Sequence, residues 1–154
     1  ASGGEISDTD ALILADNAAD EATLIISGTG YVGALDTHVG DEGIGHLSVL
    51  SGGDFDTDYL GVAVEVGSTG DVTVSGANSQ IITGGVDDTV VVGERGNGTM
   101  NILSGGLVET TDFGIGEYAT GVGEVTVSGT DSTLDTYGNL VVGISGHGHA
   151  PRAR

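Results

Sequence analysis

Carboxylates are the groups with which this chain could do chemistry, and many recur in one setting: an apolar residue, an acid, then threonine. Leu35-Asp36-Thr37, Phe55-Asp56-Thr57, Val108-Glu109-Thr110 and Leu134-Asp135-Thr136 share the pattern, Ser7-Asp8-Thr9 is a weaker form, and Ile81-Ile82-Thr83 lacks the acid. If these segments are stacked strands, Asp8, Asp36 and Asp56 become outward neighbours about 4.8 Å apart. Like charges at that spacing repel, so the ladder either holds a divalent cation or keeps protons on its carboxyls. Calcium is the metal expected there, and no other cofactor is called for.

Other constellations have plainer readings. Asp54-Phe55-Asp56-Thr57-Asp58 with Glu65 partly matches a calcium loop, but Tyr59 stands where the loop needs glycine, and an acidic strand face explains the aspartates. His147-Gly148-His149 sets two imidazoles on one side of an extended segment, short of a complete transition-metal site. Gly28-Thr29-Gly30-Tyr31-Val32-Gly33 imitates a dinucleotide-binding turn; such a turn must open a helix, which Gly40, Gly43 and Gly45 forbid, so these glycines read as corners. Asn97-Gly98-Thr99 is a glycosylation acceptor only in a compartment that holds the enzyme for it. Polysaccharide cleavage would need a basic group for developing negative charge, and Arg95 is the sole lysine or arginine before Arg152. No catalytic residue is assigned, and the chain is read as not an enzyme.

The elements that must position these groups follow from composition. Thirty glycines in 154 residues disfavour helix, each costing about 1 kcal/mol against alanine at an interior position. The Val/Ile/Leu/Thr runs between them are strand material. A formal charge of −20, from 23 acids against three arginines, argues against nucleic acid and against anionic membrane surfaces. No apolar run reaches the roughly 20 residues of a membrane-spanning helix, so no membrane insertion is expected. Zero cysteine excludes disulfides and thiolate metal sites.

An internal repeat decides the architecture. Val72-Thr73-Val74-Ser75-Gly76 returns 53 positions later as Val125-Thr126-Val127-Ser128-Gly129, and the segment Val39 to Gly53 returns at the same step as Val92 to Gly106. Apolar alternation divides the unit further, with first strands opening at Leu24, Leu47, Val72, Met100 and Val125. The apolar-acid-threonine segments supply a second strand, and Val39, Val62, Val90-Val91-Val92, Ile115 and Leu140-Val141-Val142 a third. Three strands and three glycine corners in about 25 residues predict an all-β, right-handed parallel β-helix of about six rungs. Residues 1–23 form a degenerate first rung, 24–149 the repeats, and 150–154 a disordered or assembly tail in which Pro151 stops the ladder.

The Val-Gly, Gly-x-Gly, Gly-Gly and Val-Thr-Val-Ser-Gly series, with serine three residues on at Ser79 and Ser132, resembles the passenger repeats of bacterial type V autotransporters and related surface proteins. The resemblance spans most of residues 24–149. It implies an extracellular, adhesin-like structural protein on a bacterial surface, whose partner is a host or cell-surface polysaccharide or protein. The alternative is a module that binds or cleaves polysaccharide along one face, for which Tyr59, Phe113 and Tyr137 at similar rung offsets would supply an aromatic row. The charge is also polarised. Head-to-tail contact between copies would set Arg152 and Arg154 against Glu5, Asp8 and Asp10 and grow a fibre.

Overall fold

The computed structural model describes residues 3–85 and 88–150, and every regular element in them is a strand. In chain order these are β1 (Glu5–Leu14), β2 (Glu21–Ser27), β3 (Tyr31–Val39), β4 (Ile44–Leu50), β5 (Asp54–Val62), β6 (Thr69–Ser75), β7 (Gln80–Ile82) and β8 (Thr89–Val92). They continue as β9 (Asn97–Leu103), β10 (Leu107–Thr110), β11 (Asp112–Ile115), β12 (Val122–Ser128), β13 (Thr133–Thr136), β14 (Leu140–Val142) and β15 (His147–His149). All pairings are parallel, and the chain winds as a β-helix of about six turns.

One sheet stacks β2, β4, β6, β9, β12 and β15 in that order. Leu24, Leu47, Val72, Met100 and Val125 lie directly beside one another there, as the alternation predicts. The column Ile26, Val49, Val74, Ile102, Val127 runs two residues further along, and both columns face inward. The other sheet forks. In β1, β3 and β5 the second and third strands of a rung run on as one, whereas later rungs divide them into β7 and β8, β10 and β11, and β13 and β14. Nine positions separate Ile81 from Val90 where five separate Phe55 from Leu60, so the fourth rung, β6 to β8, has extra residues between its last two strands.

The register corrects one strand assignment. Phe55 stacks on Val32, not Leu35, and Asp56 stacks on Gly33. Leu35-Asp36-Thr37 lies past the second-strand position, with Asp36 beside Ala11 and Tyr59 and Thr37 beside Leu60. Leu35 points outward and Thr37 inward, where its hydroxyl meets that of Thr57 at 3.0 Å. Thr83 and Thr110 form a similar buried pair at 2.8 Å, so the threonines of the repeat satisfy one another inside the core.

Two kinds of corner explain the glycine pattern. After each third strand one residue turns into the left-handed region: Ala15, Gly40, Ala63, Gly93, Gly116 and Gly143 all have positive φ. Across from this corner runs a column of small residues, Ala22, Gly45, Gly70, Gly98, Gly123 and Gly148. A methyl at Gly123 or Gly148 would stand 2.8 Å from the backbone nitrogen of Gly116 or Gly143. The Val-Gly and Gly-x-Gly signatures are thus two sides of one close approach.

From β4 on, the corner after the first strand alternates in length, so equivalent corner sequences recur in every second rung. Residues 51–53 and 104–106 make the short form, 76–79 and 129–132 the long one. In the long form Ser79 donates from Oγ to the Ser75 carbonyl at 2.8 Å and accepts from the Gly52 N–H of the rung before at 3.0 Å. Ser132 repeats this with Ser128 (2.8 Å) and Gly105 (3.1 Å). The serine three residues after Val-Thr-Val-Ser-Gly is therefore a rung-to-rung link.

Candidate functional site

Two outward-facing groups of polar side chains stand out. In the first, the left-handed corners stack by backbone hydrogen bonds, Arg95 N–H to the Ala63 carbonyl at 3.2 Å and Tyr118 N–H to the Glu94 carbonyl at 3.0 Å. This superposes Glu65, Glu94, Arg95, Glu117 and Tyr118 along one edge. Tyr59 reaches the edge from β5, its ring lying over Gly61, and donates its hydroxyl to Glu94 Oε2 at 2.6 Å. Arg95 Nη1 lies 3.4 Å from Glu94 Oε1 and 3.3 Å from Glu65 Oε1, and the guanidinium sits 4.5 Å from the centre of the Tyr118 ring. His38 extends the group, with Nδ1 2.8 Å from Asp41, Nε2 3.3 Å from Asp36, and its ring edge-on to Tyr59.

Electrostatics follow from this packing. Glu94 is only 8% exposed, yet both its oxygens have partners. Burial, then the hydrogen bond to Glu94, pushes the Tyr59 phenol far above its ordinary value, so it stays protonated. Burial and the charge of Glu94 raise the Glu117 carboxyl, with Arg95 opposing. Among the described residues no buried side-chain nitrogen or oxygen lacks a hydrogen-bond partner, so the network is internally satisfied.

The second group lines a shallow trough of about 420 Å³ on the forked sheet, bounded by Thr9, Tyr31, Gly33, Asp56, Asp58 and Ile82 among others. Tyr31 lies over Gly33 and donates to Asp56 Oδ2 at 3.2 Å, while Gln80 Nε2 donates to Asp54 Oδ1 at 2.9 Å. Burial and neighbouring Asp54 raise the Asp56 carboxyl, with the Tyr31 hydrogen bond opposing.

The expected calcium ladder is not assembled. Asp36 stacks beside Tyr59, Asp56 beside Gly33, and the backbone at Asp8 falls in the irregularity between Ile6 and Thr9. The three acids share no column, and among the described residues no group of three or more histidines and acids gathers to hold a metal ion. The physical reason is the continuous strand β3, which carries Asp36 past the corner. Glu5 and Asp10 are exposed on β1, whereas Arg152 and Arg154 lie outside the described residues. His147 and His149 are both exposed on β15, facing the same way, beside Val122 and Glu124. Phe113 is buried in the core, which removes it from the aromatic row; Tyr137 is exposed. Gly28 and Gly30 form a corner leading into β3, as read, whereas Gly33 is no corner but lies within β3 beside Asp56.

The Tyr59–Glu94–Arg95 network was missed by sequence reasoning. Its signal is a tyrosine two residues before a glycine on a strand, Tyr31 to Gly33 and Tyr59 to Gly61, which leaves the glycine surface bare for the ring to cover. Comparison with family models, curated proteins and solved structures returned no match.

Proposed function

We propose that this chain is a non-enzymatic structural or adhesive module of an extracellular bacterial surface protein, used in the manner of the passenger repeats it resembles. The observation that carries the reading is the serine-linked double rung. It is a unit that can be repeated without changing the cross-section of the rod, and it leaves polar, largely acidic faces outward for contact with host or cell-surface polysaccharide or protein. In the test, the chain is fused between an export signal and an outer-membrane anchor in a heterologous bacterium. Display of a protease-resistant rod with increased attachment to glycan-coated or cell-coated surfaces is expected. Display without any gain in attachment would reject the adhesive role.

A second reading, polysaccharide binding along the trough, is favoured by the Tyr31 ring and the Asp56 carboxyl meeting over Gly33. Glycan-array binding that disappears in Tyr31→Ala but persists in Tyr137→Ala would support it, and equal binding by both variants would reject it.

A further inference from the structure

We infer that the trough on the forked sheet belongs to a binding track for an amine-bearing polysaccharide, a chain of β-1,4-linked hexosamines lying along the helix axis. This rests on the second reading, polysaccharide binding along the trough, and deepens it by naming the sugar class and the direction of the chain. The track is an outward column in which Gly33, Asp56, Ile82, Glu109 and Asp135 lie side by side in successive rungs. Beside it runs a second outward column that opens with Tyr31, Asp54 and Gln80 and continues through Leu107 and Thr133. Neither column holds a lysine, arginine or histidine.

Charge decides against an acidic glycan, whose anions would meet the Asp56, Glu109 and Asp135 carboxylates with no cation in either column to offset them. Arg95 is held by Glu65 and Glu94, and His38 by Asp36 and Asp41, in the separate corner network. A neutral glycan would use the aromatic and apolar surface, which includes Tyr31, Ile82 and the exposed Leu35, but would leave the acids without a countercharge. A hexosamine uses both. Its C–H face packs on the Tyr31 ring, and its ammonium donates a charge-assisted hydrogen bond to Asp56 while lying within the field of that ring. The Tyr31 hydroxyl, donating to Asp56 Oδ2 at 3.2 Å, holds the carboxylate in place. Burial and neighbouring Asp54 already raise the Asp56 carboxyl, and an ammonium beside it offsets both causes.

Spacing gives the direction of the chain. Asp56 and Glu109 stand two strands apart, about 9.6 Å. An extended β-1,4-linked chain advances roughly that far in two rings, and its alternate rings turn the same groups to the same side. Every second ammonium therefore meets a carboxylate, and the ring between, its amine turned away, rests on Ile82. The tyrosine–carboxylate pair recurs at the second position, where the Tyr137 hydroxyl bonds Glu109.

The probes are the β-1,4-linked tetramer and dimer of glucosamine, the fully N-acetylated tetramer, and tetralysine. Each is titrated calorimetrically into the chain at mildly acidic pH and about 0.15 M salt, where a Debye length of about 8 Å suppresses long-range attraction. The amine tetramer should bind at least about tenfold more tightly than the N-acetylated one, and Asp56→Asn should remove that advantage. Glu109→Gln should weaken the amine tetramer about tenfold and leave the dimer unchanged, because a dimer presents only one ammonium to this face. Glu124→Gln, an equal loss of charge at an exposed position on the other sheet, should change neither. Circular dichroism of each variant establishes that it is folded. Equal affinity for the two tetramers would overturn the inference and leave polysaccharide binding at the trough standing. Tetralysine bound as tightly as the amine tetramer, or Glu124→Gln as damaging as Asp56→Asn, would reduce the track to general charge attraction and overturn it as well. Binding of neither tetramer would also overturn it; other hits on the glycan array would then keep the broader reading, and a blank array would sink that too.

Discussion

Replacing Ser79 by alanine tests whether the corner serines hold the rungs together. Ser79 is fully buried, and its hydroxyl is the hydrogen-bond acceptor for the Gly52 N–H. The Ser75 carbonyl would keep a second donor, the Ser51 N–H at 3.0 Å, so losing the serine O–H there matters little. What remains is a backbone donor stranded beneath a buried methyl, costing about 1–3 kcal/mol. Taking about 2 kcal/mol and a urea slope of about 2 kcal/mol per molar, the unfolding midpoint should fall by about 1 M with unchanged slope. Ser132 makes the same two bonds one double rung later but is half-buried, so water can replace its oxygen and Ser132→Ala should cost about half as much. Hydrogen exchange adds a local readout: the Gly52 amide should exchange faster in Ser79→Ala. Equal midpoint shifts for the two variants, or an unchanged Gly52 rate, would refute the link.

Three further outcomes follow from the packing. Val74→Asp places an unpaired carboxylate in the core and should destabilise by several kcal/mol (about 3–5), whereas Thr73→Asp on the outer side of the same strand should stay within about 1 kcal/mol; equal melting temperatures would reverse the strand phase. Gly93→Ala combines a left-handed φ of 72° with a methyl driven into the Val122 carbonyl, and should cost about 2–4 kcal/mol by urea unfolding. Asp56 and Glu117 both have raised carboxyl pKa values, so the folded state binds protons more tightly than the unfolded one. Their contribution is fully present below the ordinary carboxylate range and is lost as pH rises through the raised values, so melting temperature should be higher at mildly acidic pH than at pH 7. Asp56→Asn with Glu117→Gln should flatten that slope, and an unaltered profile would count against both shifts.

The register of the first sheet was legible because its two signals agree: strict alternation marks the buried face, and the Val-Thr-Val-Ser-Gly repeat sets the distance between rungs. Leu24, Leu47, Val72, Met100 and Val125 consequently stack as read. The second sheet was harder because its strand signal is three residues long and occurs twice in one rung. Leu35-Asp36-Thr37 matches it, but Val32-Gly33-Ala34 occupies the position. Counting from the preceding corner resolves the choice: three residues separate Ser27 from Tyr31, as three separate Leu50 from Asp54, and that places Val32 beside Phe55.

Composition alone hid the polar network for a different reason. Glu94 resembles any other acid of a glycine corner, and its burial arises only when Tyr59, in the rung before, is laid over Gly61 and reaches across to it. The spacing between them is 35 residues, which fits neither the rung nor the double rung. A repeat specifies its columns, so contacts between equivalent positions can be read from the period. Contacts that run diagonally between corner and strand depend on the length of each corner, and in this chain those lengths vary from rung to rung.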